Sequence, residues 1–217
     1  MRKIFSFDAE TDGLWGQPFA VAAIVYELQP QTDLWQLVAV NGVVSNFDPP
    51  VRAASFEEAT RVGGRIAYHR MQRIEADRWV ETYRFMGMLP LDGIQNEFVL
   101  KNVVPALSGV TPTHQSYEGI LRDFTAFYLA NKQDATVICH VGSPVEMHRL
   151  GFIGDWDAPF PLIDISGNLD QMGEDPTSVD SYAQKYGLEI SDYGTTHNPL
   201  YDCEVAAKVY IHLKSRK

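Results

Sequence analysis

The run Phe7-Asp8-Ala9-Glu10-Thr11-Asp12-Gly13-Leu14 places two acids at i and i+2 behind a short apolar stretch, Lys3 to Phe7. If that stretch is a strand, side chains two residues apart share one side of the sheet, so both carboxylates converge. Two carboxylates held together are costly unless a cation neutralises them, and hard oxygen donors suit Mg²⁺ or Mn²⁺. The same spacing also occurs at an ordinary solvated strand end, and both readings are open. Thr11 to Leu14 reads as a tight polar turn. Gly13 there lets the backbone approach a ligand closely, and Asp12 is either a turn cap or a further ligand.

A second group lies near the other end, in Thr195-Thr196-His197-Asn198-Pro199-Leu200-Tyr201-Asp202. Asn198 is a good N-cap and Pro199 fits the first helical position, which puts His197 on the loop before a helix and Asp202 in its second turn. Inside a continuous helix such an i, i+5 pair would lie about 140° apart. The capped entry releases His197, so that it can turn toward the same cleft as Asp202 and take a proton from a water there. A His beside a cap and a surface Asp would give the same spacing. The middle of the chain offers Cys139-His140-Val141-Gly142-Ser143-Pro144-Val145-Glu146-Met147-His148, an apolar run entering a Ser-Pro helix start. Glu146 sits in the first turn, where a helix N-terminus favours a carboxylate even without a function. His140 and His148 are potential ligands or structural residues.

These groups need elements to hold them. Lys3–Phe7, Phe19–Leu28 and Leu34–Val44 read as three consecutive strands, an antiparallel meander with turn chemistry between Pro30 and Asp33. Phe56–Arg65 reads as a helix, as does Ile74–Met88 with Trp79 and Tyr83 as an i, i+4 pair. Phe98–Leu107 reads as a helix that Pro105 interrupts near its end. Ser116 starts an amphipathic helix, with Tyr117, Ile120, Leu121, Phe124, Phe127 and Tyr128 at helical spacing. Thr136–Val141 is a buried strand, a short helix follows Pro144, Pro161–Ile165 is another strand, and Val179–Tyr186 and Asn198–Lys214 are helices. The order predicts an α/β fold. Its mixed sheet is antiparallel in the first three strands and parallel afterwards, with helices on both faces.

The chain has 217 residues, the size of one large domain, and 45% of them are apolar, enough for a sizeable core. Eighteen Lys and Arg against 28 Asp and Glu leave a formal charge of -10, which argues against a protein that coats nucleic acid by bulk electrostatics. An enzyme gripping a few nucleotides is not excluded, because a carboxylate-rich metal site is neutralised by its own cations. The two cysteines, Cys139 and Cys203, read as reduced core residues. With no basic-then-apolar leader and no stretch near the roughly 18 apolar residues of a span, the expectation is a soluble, cytoplasmic protein without membrane contact.

Together the three groups resemble the DEDDh 3′–5′ exonucleases, the family of RNase T, oligoribonuclease and the proofreading exonucleases of DNA polymerases. Phe-Asp-Ala-Glu-Thr-Asp-Gly-Leu is similar to the first motif of that family. Pro144-Val145-Glu146 stands where the second belongs, and His197 with four residues before Asp202 matches the third. The order and the spread over nearly the whole chain also match. One departure is Glu146, since the family supplies an Asp there, usually soon after a His-Asn pair. Glu is one methylene longer and could still reach a metal, with Asp155, Asp157 and Asp164 as alternatives.

The resemblance implies an RNase H-like fold and a single exonuclease domain over residues 1–217, with an atypical insertion at about 48–112. It implies that Asp8, Glu10, Glu146 and Asp202 hold two divalent cations, Mg²⁺ or Mn²⁺, roughly 3.5–4 Å apart. One cation would lower the pKa of a water, His197 would accept its proton, and in-line attack would release nucleoside 5′-monophosphates. The implied partners are 3′ ends of single-stranded RNA or DNA, with RNA or short oligonucleotides favoured because no segment looks like a polymerase partner. Leu14, Trp15 and Phe19 would wedge or stack against the terminal bases, although Phe19 fits strand core equally well. Arg61, Arg65, His69, Arg70 and Arg73 form a basic cluster that suits phosphates or a solvated helix face. Residues 48–112 could build a lid over the cleft or the face of a homodimer. Two rival functions are a catalytically weakened nucleic-acid-binding protein of the same fold and a phosphoesterase acting on something other than a 3′ end.

Overall fold

The apolar opening forms β1 (Lys3–Thr11), which pairs antiparallel with β2 (Pro18–Gln29) and parallel with β7 (Ala135–Cys139). The computed structural model describes residues 3–14, 16–29, 35–37, 52–53, 71–73, 78–142, 162–190 and 193–216. β6 (Arg78–Met88) lies beside β2 and β8 (Leu162–Asp164) lies parallel to β7, so the main sheet has five strands in the order β6-β2-β1-β7-β8. The Leu89 amide donates to the Phe19 carbonyl (2.8 Å), while the Thr82 hydroxyl donates to the Val25 carbonyl (3.3 Å). Numbers rise on one strand as they fall on the other, which makes β6 antiparallel to β2. This is an α/β fold with a mixed sheet, as the order of elements predicts.

Alternation on β1 divides its side chains between the two faces. Phe5, Phe7 and Ala9 join Val21, Ala23, Val25, Val137 and Cys139 in a core covered by Ile120, Phe124 and Tyr128 of α2 (Tyr117–Asn131). Rings of Phe5, Phe7 and Phe85 surround Phe124 at centroid distances of 5.8–6.3 Å. Ser6, Asp8 and Glu10 point to the other face, against which α5 (Pro199–Ser215) packs. Two further short helices, α3 (Ile165–Gln171) and α4 (Val179–Lys185), pack on α5.

The meander expectation needs correction in its third strand. Within the expected Leu34–Val44 strand the described part is β3 (Trp35–Leu37), which belongs to a separate three-stranded sheet with β4 (Arg52–Ala53) and β5 (Met71–Arg73). The antiparallel neighbour that completes the main sheet is β6, in a segment expected to be helical. Trp79 and Tyr83 at i and i+4 share a side under a period of 2 as well as 3.6, so their spacing decides nothing. The β-branched and aromatic residues Trp79, Val80, Thr82, Tyr83 and Phe85 favour the strand.

Phe98–Leu107 is two pieces. α1 (Glu97–Asn102) is capped by Asn96, and a 3₁₀ turn follows over Val104–Leu107, where Pro105 has no N–H to continue the helix. The Phe56–Arg65 helix, the helix after Pro144 and most of the basic cluster lie outside the described residues. The chain divides into two compact units, Met1–Glu27 with Glu81–Lys217, and Leu28–Val80. The first holds the five-stranded sheet and residues 81–112, and the second holds the three-stranded sheet. Among the described residues no helix is long and apolar enough to cross a membrane.

Phe124 is the hub of the aromatic core, fully buried with three rings around it. We expect Phe124→Ala to cost about 3–5 kcal/mol of stability, read as a lower urea midpoint at unchanged slope.

Candidate metal centre

β1 is pinned between β2 and β7, and its register sets where the acids stand. Asp8 pairs with Ala22 and Glu10 with Ala20, so the cross-strand neighbour of each carboxylate is a single methyl group. Small neighbours leave open space above this part of the sheet. The register shifts just past the second acid, where Glu10 pairs with Ala20 and Thr11 with Pro18.

The opposite wall comes from the start of α5. The Asn198 side chain accepts from the Leu200 amide (3.1 Å) and donates to the Tyr193 carbonyl (2.7 Å), which ties the incoming loop to the helix start. His197, just outside the helix, has a left-handed backbone with φ +72°. Its amide donates to Asp202 Oδ2 at 2.9 Å, and its Nδ1 lies 3.5 Å from Glu10 Oε1. The capped entry therefore does what the sequence predicts: it turns His197 back toward Asp202.

Asp8, Glu10 and Asp202 each offer an oxygen within 4.8 Å of the others. They line a cleft of about 410 Å³ together with His140, Val141, Ser178, Asp180, Thr196 and His197. No Lys or Arg is among its described lining residues. Burial, and next the Glu10 carboxylate, push the Asp202 carboxyl up to about 8. The hydrogen bond to Glu10 raises the His197 pKa, against the opposing effect of burial. Three converging carboxylates with hard oxygen donors, in a cleft with no Lys or Arg among its described lining residues, fit Mg²⁺ or Mn²⁺.

The other expected site residues fall in different places. Glu146 and Trp15 lie outside the described residues, as do His148, Asp155 and Asp157. Leu14 is exposed on the turn after β1, available to a ligand. Phe19 is buried against Met88, Val99 and Leu107, so it is core and does not present its ring to the cleft. Asp164 caps α3 through the Ser166 amide (3.0 Å) and also accepts from the Val141 amide (3.1 Å), which makes it a structural acceptor. His140 lines the cleft, with Nε2 donating to the Pro176 carbonyl at 3.0 Å.

Asp12 accepts from the Asn96 amide at 2.9 Å, docking the β1–β2 turn on the start of α1. The bare Cα of Gly13 (φ +81°) suits that docking, because a Cβ there would stand 2.6 Å from the Asn96 side chain. Cys139 and Cys203 are buried thiols, and burial pushes the Cys203 thiol up.

Two residues of this region have no forewarning in the sequence. Phe98, in the first turn of α1, is 62% exposed and sets its ring edge-on to His197 at 6.3 Å. An apolar residue at a helix start looks like ordinary core, so nothing in the sequence distinguishes it. Asp180 lines the cleft from α4, and an acid in a first helical turn reads as routine. Compared with known proteins, the chain matches no family model and no curated protein.

The raised carboxyl has a consequence for stability. Asp202 titrates near 8 in the folded chain and near 3.8 unfolded, so the folded state holds a proton that the unfolded state has lost. That contribution is full at acid pH and disappears as pH rises from about 4 to about 8. Without divalent ions the melting temperature should therefore fall over this window. Asp202→Asn should flatten the fall, and Mn²⁺ should raise the melting temperature more at about pH 8 than at about pH 5.

Proposed function

We propose that this protein is a metal-dependent 3′–5′ exonuclease of the DEDDh kind, with an RNase H-like fold, acting on short single strands with RNA favoured over DNA. One observation carries the reading. Asp8 and Glu10 from one end of the chain and His197 and Asp202 from the other meet in one cleft, with carboxylate oxygens inside 4.8 Å and His197 Nδ1 3.5 Å from Glu10. These are the residues of the first and third motifs in the order the resemblance requires.

Asp8, Glu10 and Asp202, with Glu146 as the fourth carboxylate, would hold two divalent cations. When bound, the cations supply Lewis-acid chemistry at the scissile phosphate, lowering the pKa of water and screening charge on the leaving oxygen. The chain's own part is to aim and to move a proton. His197 stands half-exposed at the cleft, in reach of a water entering from solvent, and is the base that accepts its proton. Its raised pKa reflects the Glu10 carboxylate, so charge neutralisation around Glu10 brings the imidazole back toward its neutral form. Leu14 and Phe98 stand exposed on the turn after β1 and on α1, which Asp12 fastens together. They offer apolar surface for terminal bases, independent of sequence.

Mn²⁺-dependent release of mononucleotides from a 5′-labelled single strand tests the reading. Asp8→Ala and Asp202→Ala should each abolish it, and near-normal activity in either would overturn the site. His197→Ala should lower kcat by about 10²–10⁴ with KM largely unchanged. A 3′-phosphate should block the wild type; indifference to it would favour another phosphoesterase. Binding of the strand without hydrolysis would favour the weakened binding protein that Glu146 in place of Asp allows.

Phe98→Ala should raise KM roughly tenfold while sparing kcat, since stacking is worth about 1–3 kcal/mol per base. An unchanged KM would remove Phe98 from the substrate surface.

A further inference from the structure

Asp180 stands in the first turn of α4 and lines the cleft, but it is not among the three acids whose oxygens cluster. Its two oxygens are each engaged by a hydroxyl from the opposite wall. Thr196 Oγ1 donates to Oδ2 at 3.1 Å and the Tyr201 phenol donates to Oδ1 at 2.7 Å. Thr196 directly precedes His197, and Tyr201 directly precedes Asp202. One carboxylate therefore grips the chain immediately before each member of the His197–Asp202 pair.

The grip has a physical reason. His197 holds a left-handed backbone, a conformation unusual for a residue with a side chain, and such a residue stays there only where its surroundings over-determine it. The Asn198 cap secures the helix side and the Asp202 acceptor takes the His197 amide. The loop side, through Thr196, is fastened by Asp180. Hydrogen bonds to an ionised acceptor are roughly twice as strong as neutral ones, so a carboxylate suits this task better than an amide or hydroxyl. α4 itself is fixed, with Val179, Tyr182 and Ala183 buried and its body packed on α5.

We propose that Asp180 is the positioning residue that holds His197 and Asp202 in working geometry from α4. The proposal rests on the exonuclease reading for its kinetic consequence, although the brace itself does not depend on it. A misplaced catalytic group lowers turnover steeply, while a residue that touches no substrate leaves binding alone.

Two measurements on the full chain test it. The first is Mn²⁺-dependent mononucleotide release from a labelled single strand. Asp180→Ala should lower kcat about tenfold with KM within about twofold, and Asp180→Asn, whose carbonyl still accepts one hydroxyl, should recover part of the loss. Thr196→Val combined with Tyr201→Phe should reproduce Asp180→Ala, and adding Asp180→Ala to that pair should cost little more. The second measurement is amide hydrogen exchange, which needs no activity. In Asp180→Ala the His197 amide should exchange about tenfold faster while amides of β1 keep their rates.

Wild-type kcat in Asp180→Ala would overturn the proposal, and so would a raised KM at unchanged kcat, which would make Asp180 a substrate contact. Unchanged exchange at His197, or equal acceleration of every amide, would overturn it as well. If the wild type released no mononucleotide, the exonuclease reading would fail, and the exchange result alone would decide the brace.

Discussion

Three carboxylate oxygens, from Asp8 and Glu10 on β1 and Asp202 on α5, lie within 4.8 Å of one another, and like charges at that range repel. The features around the cleft are ways of holding the acids there. β1 is paired on both sides, so it cannot drift away from the contact. Ala22 and Ala20 stand opposite the two strand acids and leave room above them. The His197 amide donates to Asp202 and its imidazole stands beside Glu10, while burial and Glu10 raise the Asp202 carboxyl.

The same repulsion explains why the centre would respond to cations. A cleft lined by carboxylates, two imidazoles and hydroxyls, with no Lys or Arg among its described lining residues, can neutralise its acids by binding protons or, in the proposed centre, metal. In the proposed centre the two are alternatives at one place, which would link pH, divalent ions and stability. In the proposed reaction the exchange also matters for His197, whose pKa is raised chiefly by its bond to Glu10.

Around this centre the scaffold is uneven in kind. The face of the sheet away from the cleft is a dense aromatic core organised on Phe124. On the cleft side the packing of α5 is joined by directed polar contacts: the Asn198 cap, the Asp180 hydroxyl pair, and Asp12 on the Asn96 amide. Packing tolerates neighbours of similar size, whereas a hydrogen bond fixes direction, and aiming an imidazole at Glu10 needs direction. Phe98 and Leu14 are large apolar side chains left on the surface near this polar machinery.

Much of the candidate site was legible in the sequence. The i, i+2 spacing of Asp8 and Glu10 needs only a strand to bring both to one side, and Asn198-Pro199 needs only a helix start to release His197. Those are local rules of backbone geometry, and the structure follows them. The helices at 117–131, 179–185 and 199–215, and the Asn198 cap, were legible for the same reason. Tertiary structure alone decided which strand completes the main sheet, since the spacing of Trp79 and Tyr83 fits two periods and only pairing with β2 chooses between them. It also decided that Phe19 is core, that Phe98 is surface, and that Asp180 reaches Thr196 and Tyr201 across 16 and 21 residues of chain. Contacts at that separation arise when two helices pack, and no local pattern encodes which side chains then face each other. The convergence of both chain ends on one cleft is likewise a product of sheet order, because β1 lies in the middle of the sheet and α5 packs against it.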